Sequence, residues 1–296
     1  MKIKPRQISF HTFCMVLIFC LIACGPSKDK NGDRSDEFQD DEKSLKEQIP
    51  ELLYKLPPPT EIPYLLAATG AEFNASLIND KNLSEKYGAK TEKAALNLGV
   101  YTADIGYLTS YEKTQEAIEY IATCKNLADI LGVSEFDIDL IRRFEENVSN
   151  KDSLTALLNQ TLKKADKYLK DDGRNKLAGL IITGSFIEGL YVATALVKTY
   201  PTDLKPADRN LILTPLIRII LNQKESVGEL LRMLRSVEQD DSVSGIIKDL
   251  VALQASYKSL NIDEQIKNNR GDLVLSDKNL TEITSIVEKI RNNITD

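Results

Sequence analysis

Three charged residues stand alone in stretches that otherwise read as protein core. Asp104 is the only charge between Ala94 and Leu108, Glu188 the only one between Leu177 and Val197, and Arg218 the only one between Leu211 and Leu221. An isolated charge in a low-dielectric interior is costly and needs a partner or water. The three are therefore expected to converge in one buried or cleft-lining cluster. Each acid is followed three positions later by a tyrosine (Asp104–Tyr107 and Glu188–Tyr191), a spacing that places both groups on nearly the same helix face. Paired carboxylates beside tyrosines suit a satisfied structural network, a small-ligand or cation site, or acid–base cleavage of a glycoside. The chain has no Trp, and the flanking residues are apolar, which argues against a sugar site. The structural network is the expected reading. A ligand pocket near Asp104, Tyr107, Glu188 and Tyr191 is the alternative.

Other chemistry finds little support. The single histidine, His11, lies in the first few residues. Ser110-Tyr111-Glu112-Lys113 has the spacing of a serine–lysine nucleophile but lacks the motifs that accompany one. No glycine-rich phosphate loop, cysteine pair or histidine-containing metal motif is present. Asp29, Asn31 and Asp33 begin like a calcium loop, yet Arg34 stands where that loop requires glycine. Lys163, Lys164, Lys167 and Lys170 read as a solvated helix face near a C-terminus. Neither a metal, a cofactor nor catalysis is expected.

The N-terminus has a different character. Lys2, Lys4 and Arg6 precede an apolar run from Phe13 to Ala23, the layout of a signal peptide and too short for a comfortable permanent span. It closes on Leu21-Ile22-Ala23-Cys24, which resembles the lipobox of bacterial lipoproteins. That resemblance implies cleavage before Cys24 and acylation of its thiol and new amino group, with each buried CH₂ contributing roughly 0.8 kcal/mol to anchoring. Gly25, in place of an aspartate retention signal, points to the outer membrane. Lys28-Asp29 and Asp36-Glu37 are only loosely similar to surface-display signals, so a periplasmic or an outward orientation both stay open.

Loss of the leader takes the basic residues from 38 to 35 against 44 acidic, and the net charge from -6 to -9. A chain this acidic is repelled by nucleic acid and by anionic headgroups, so the lipid would hold it at the membrane. Cys14 and Cys20 leave with the leader, and Cys124 remains as the one thiol. It sits in the apolar stripe Ile118, Ile121, Cys124, Ala128, Leu131 and is expected in the core.

The elements that must position these groups read as helices. Residues 1–23 form the signal peptide, 24–44 the lipidated cysteine and a flexible tether, and 45–296 one all-helical domain. A helix start is expected at Thr60, after Pro57-Pro58-Pro59. Periodic runs follow at Ala89–Leu108, Thr114–Leu131 (closed by Gly132), Ile138–Val148, Asp152–Lys170, Lys176–Thr199, Asp208–Asn222 (with Pro215 inside), Glu225–Val237, Ser242–Leu260 and Ser276–Asn292. No run shows the two-residue alternation of a strand, so the fold class is all-α, an irregular multi-helix bundle or short superhelix. Glu188 sits mid-run among small and polar residues, which makes Leu177–Val197 a core helix rather than a membrane span. Two small-residue stripes (Ala95, Gly99, Ala103, Gly106 and Ser185, Gly189, Ala193) would let two backbones approach closely.

Pro58-Pro59-Thr60-Glu61-Ile62, the run Ala95 to Asp104, Ile187-Glu188-Gly189-Leu190-Tyr191 and Ile290-Arg291-Asn292 together resemble a group of uncharacterised helical envelope lipoproteins of Bacteroidetes. The resemblance covers most of the mature chain and implies an envelope location and a helical fold, with no established activity to carry over. The expected function is a lipid-anchored, non-catalytic interaction or assembly module for another envelope protein. A small-ligand-binding lipoprotein is the alternative.

Overall fold

Local start and stop signals account for a few of the helix ends. The structure is a computed structural model that describes residues 56–58, 60–133, 142–143, 146–147, 150, 152–153, 156–157, 159–160, 174–201, 203–275 and 277–296. The leader, Cys24, the tether, the lysine cluster at 163–170 and most of the two runs expected at 138–148 and 152–170 lie outside these residues. Helix α1 spans Glu61–Ala68 and begins after Thr60, as expected. Short α2 (Ser84–Tyr87) leads into α3 (Thr91–Ser110) and α4 (Thr114–Ile130). Gly132, at φ +67°, ends α4 in the left-handed conformation that glycine adopts without a Cβ penalty.

The second half holds α5 (Asn175–Lys198), α6 (Pro206–Asn222), α7 (Lys224–Arg235), α8 (Asp241–Ser259), the five-residue α9 (Asp263–Lys267) and α10 (Lys278–Thr295). Asp240 caps α8 by accepting the Val243 N–H at 2.8 Å. Asp277 caps α10 by accepting from Asn279 and Leu280. Such caps contribute about 1 kcal/mol each. Three 3₁₀ turns, at Ala75–Leu77, Lys81–Leu83 and Gly271–Leu273, were not legible from periodicity. No strand occurs among the described residues, so the fold is all-α, as expected.

The central feature is the pairing of α3 with α5, the most extensive helix contact among the described residues. Every residue of α3 from Ala94 to Ser110 is buried, and so is most of α5. α5 is long and apolar enough to cross a membrane, but it lies buried inside the bundle. A Cβ on Gly99 would fall 1.9 Å from the Ile181 carbonyl oxygen, and one on Gly184 would fall 1.9 Å from that of Leu96. The two backbones therefore touch through reciprocal glycines. One partner differs from the expected stripe: Gly184 makes the contact, whereas Gly189 faces Ile62 of α1. Around this pair, α1 and α4 cover α3, α6 and α10 cover α5, and α8 closes against α7 and α10.

Candidate functional site

Asp104 on α3 and Glu188 on α5 meet at the centre of the bundle, both with no exposed surface. They meet because the glycine contact one to two turns away brings the two helices together. Asp104 Oδ2 accepts the Asn79 N–H at 3.1 Å. Glu188 is gripped by Arg291 of α10, whose Nε and Nη2 donate to Oε2 and Oε1 at 3.2 and 3.4 Å. The Arg291 guanidinium also lies 4.8 Å from the centre of the Tyr191 ring, a cation–π contact. Glu188 and Tyr191, three residues apart, thus hold the same guanidinium.

Burial, and then the facing Glu188 charge, push the Asp104 carboxyl well above the usual carboxylate range. Burial also raises Glu188, but Arg291 and a proton on Asp104 both oppose the rise. Of the two carboxyls, Asp104 is therefore the one driven towards its neutral form, while Arg291 favours the charged form of Glu188. Asp104 Oδ1 is buried outside hydrogen-bond geometry with any group, so the contact with Glu188 is a loose one.

The Asp104 side of the cluster is a clamp on the loop at the buried Asn79. Backbone polar groups inside a protein need partners, and here tyrosines supply them. Tyr120 donates its hydroxyl to the Asn79 carbonyl at 2.7 Å, and Tyr101 donates to that of Asp80 at 2.7 Å. Asn79 donates its side-chain amide to the Tyr87 hydroxyl, which in turn donates to the Thr295 carbonyl at 2.9 Å. The segment between the first two 3₁₀ turns is thereby tied to α2, α3, α4 and the end of α10.

Two of the expected members are elsewhere. Arg218 is exposed on α6 and donates to the Ile266 carbonyl at 2.9 Å, capping α9 rather than meeting Glu188. It shares an outward stripe with Leu211, seven residues earlier, so its apolar surroundings in sequence did not signal burial. Tyr107 is fully buried, but its hydroxyl accepts the Asn74 N–H at 3.1 Å and its ring packs on Phe73 and Tyr111. It belongs to a separate aromatic group on which Lys113 also rests, 5.4 Å above Phe73. Asp104, Glu188 and Tyr191 do come together, with Arg291 as the base. Arg291 belongs to the quoted Ile290-Arg291-Asn292 segment but lies among the many charges of α10, so nothing marked it as buried.

A carboxyl that solvent does not reach cannot exchange protons with a substrate or hold a solvent-borne ion while the bundle is closed. The arrangement is a charge-balanced core network. Among the described residues, no three His, Cys, Asp or Glu side chains gather as a metal cage. Cys124 is fully buried in the core, and burial pushes its thiol far up, away from the reactive thiolate. Comparison of the chain with protein-family models, curated proteins and solved structures found no match.

Proposed function

We propose that this chain is a lipid-anchored protein of the cell envelope, held through acylated Cys24, that acts as a non-catalytic interaction or assembly module resembling the helical lipoproteins of Bacteroidetes. The observation that carries this reading is the complete burial of Asp104 and Glu188. The most distinctive polar residues are spent on holding the bundle together, which leaves recognition to its surface. The closed core counts against the alternative, a ligand pocket at Asp104, Tyr107, Glu188 and Tyr191. The leader ending in Leu21-Ile22-Ala23-Cys24 supports the anchor, and the acidic mature chain supports a protein partner over nucleic acid. Among the described residues, the most exposed large apolar side chains, Leu211 and Leu273, lie on α6 and on the 3₁₀ turn packed against it. That face is where a partner would dock.

Native mass spectrometry of the protein gently extracted from its own envelope tests the reading. The expected species carries acyl chains and a partner chain, and the partner is lost in Leu211→Glu with Leu273→Glu while helicity is kept. A small adduct that disappears in Asp104→Asn or Glu188→Gln would instead assign the core cluster to ligand binding. Cys24→Ala should release the chain from the membrane fraction, and continued membrane attachment would overturn the anchor.

A further inference from the structure

The start of α3, the first half of α8 and the last turns of α10 border a cleft of about 200 Å³ whose lining includes none of Asp104, Glu188 and Arg291. Its floor is apolar: Leu96, Ile290 and Ile294 are buried, and Ile246 is half-buried. Lys90 and Lys93 stand beside it, with Lys86 close enough to Lys93 to repel it. The acids lining the cleft are already engaged, since Glu92 pairs with Lys176 and Asp249 with Lys289. Among the described residues, no carboxylate forms an ion pair with Lys86, Lys90 or Lys93, and Asp296 is the one acid that draws on Lys93 from farther off. Lys93 donates to the Asn293 and Ile294 carbonyls at 3.3 and 3.2 Å, which fixes its ammonium at the end of α10.

Gly245 is the second observation. A glycine inside a helix costs roughly 0.5–1 kcal/mol relative to alanine, and close packing commonly explains it. Gly99 and Gly184 have that reason. Gly245 lines the cleft, and a Cβ built there would meet nothing within 4 Å. Gly245 is exposed at the rim, so packing does not explain it and the space beside it is open to solvent.

We propose that this cleft binds a small organic carboxylate with an apolar body, its anionic end between Lys90 and Lys93 and its body on Leu96, Ile246, Ile290 and Ile294. The volume corresponds to roughly seven waters at ~30 Å³ each, the scale of a branched aliphatic or single-ring acid. Burial, and then repulsion from Lys86 and Lys90, hold the Lys93 ammonium below its usual range against the pull of Asp296, and a bound anion would offset that repulsion. The site is independent of the membrane anchor and of the proposed docking face on α6.

Isoleucine-methyl NMR of the full chain, titrated with 4-methylpentanoate, tests the proposal. The expected result is saturable shifts at Ile246, Ile290 and Ile294, with Kd on the order of 1 mM for so small a ligand. The alcohol 4-methylpentanol should bind at least about tenfold more weakly, and Lys90→Gln should close most of that gap. Gly245→Leu, which fills the cleft from an exposed position, should abolish the shifts while leaving the helical signal intact. Equal binding of acid and alcohol, no saturable shift, or shifts unchanged in Gly245→Leu would each overturn it. A peptide ending in a free leucine carboxylate separates two sources of the same chemistry. Tighter binding than 4-methylpentanoate, lost in the peptide amide, assigns the carboxylate to the end of a partner chain; weaker binding assigns it to a free acid.

Discussion

Arg291 reaches from the last helix to Glu188, 103 residues earlier in the chain, and donates to it through two nitrogens. Glu188 has no exposed surface and Arg291 very little, with 14% of its side chain accessible. The pair joins α5 to α10, while Asp104, facing Glu188 from α3, accepts from the loop at Asn79. A single cluster therefore fixes the arrangement of segments far apart in sequence.

Breaking the pair from one side leaves a buried charge without compensation, which costs about 3–5 kcal/mol. Arg291→Met should show a loss of that size in urea unfolding. Arg218→Met removes one part-buried hydrogen bond to the Ile266 carbonyl and should cost about 1.5 kcal/mol. Combining Arg291→Met with Glu188→Gln should recover part of the loss. Similar costs for the two arginine substitutions would remove Arg291 from the core network.

Asp104 makes stability depend on pH with a definite sign. Its carboxyl is raised in the folded chain above its unfolded value, so the stabilisation is fully present below the unfolded value, near 3.9. It is lost as pH rises through the folded value, by about 1.4 kcal/mol per unit in between. Asp104→Asn keeps a neutral acceptor for the Asn79 N–H and should lack this slope. Unfolding free energies of the two chains should diverge as pH rises above 4; parallel curves would show that Asp104 is not the protonated partner.

Gly99→Ala and Gly184→Ala should each destabilise the bundle by at least the 1–3 kcal/mol typical of overpacking. In both cases the added methyl meets the backbone of the facing helix at 1.9 Å, so the helices must separate. Gly245→Ala meets nothing and should raise stability by about 0.5–1 kcal/mol. Thermal melts of the three variants check the opposite signs.

Cys124 should react with thiol reagents only when the bundle opens. Its side chain is fully buried, and burial raises its thiol. Mass-spectrometric labelling of the Cys124 peptide should be slow in buffer and accelerate through the unfolding transition. Rapid labelling of the folded chain would place Cys124 outside the core.

Much of the fold was legible in the sequence because the signals are local. Asp277 and Gly132 mark helix ends through bonds and dihedral angles that involve only their neighbours. Apolar density marked Leu177–Val197 as a core helix, since a run almost free of charge leaves no face for water. The same density placed Asp104 and Glu188 in one buried or cleft-lining cluster, and their complete burial selects the first of these.

Density averages over all faces of a helix, and there it misled. Arg218 lies in an apolar run on α6 but projects from the outward stripe it shares with Leu211. Arg291 lies among charges on α10, and its helix turns this one residue inward to Glu188. Tyr107 has the same spacing from its acid as Tyr191, yet a loop from elsewhere in the chain supplies its partner at Asn74. Sequence by itself determined the long helices among the described residues and which acids must be compensated. Which base compensates them was decided only by tertiary structure, because the partner is set by the angle at which distant helices pack, and no short-range pattern encodes that.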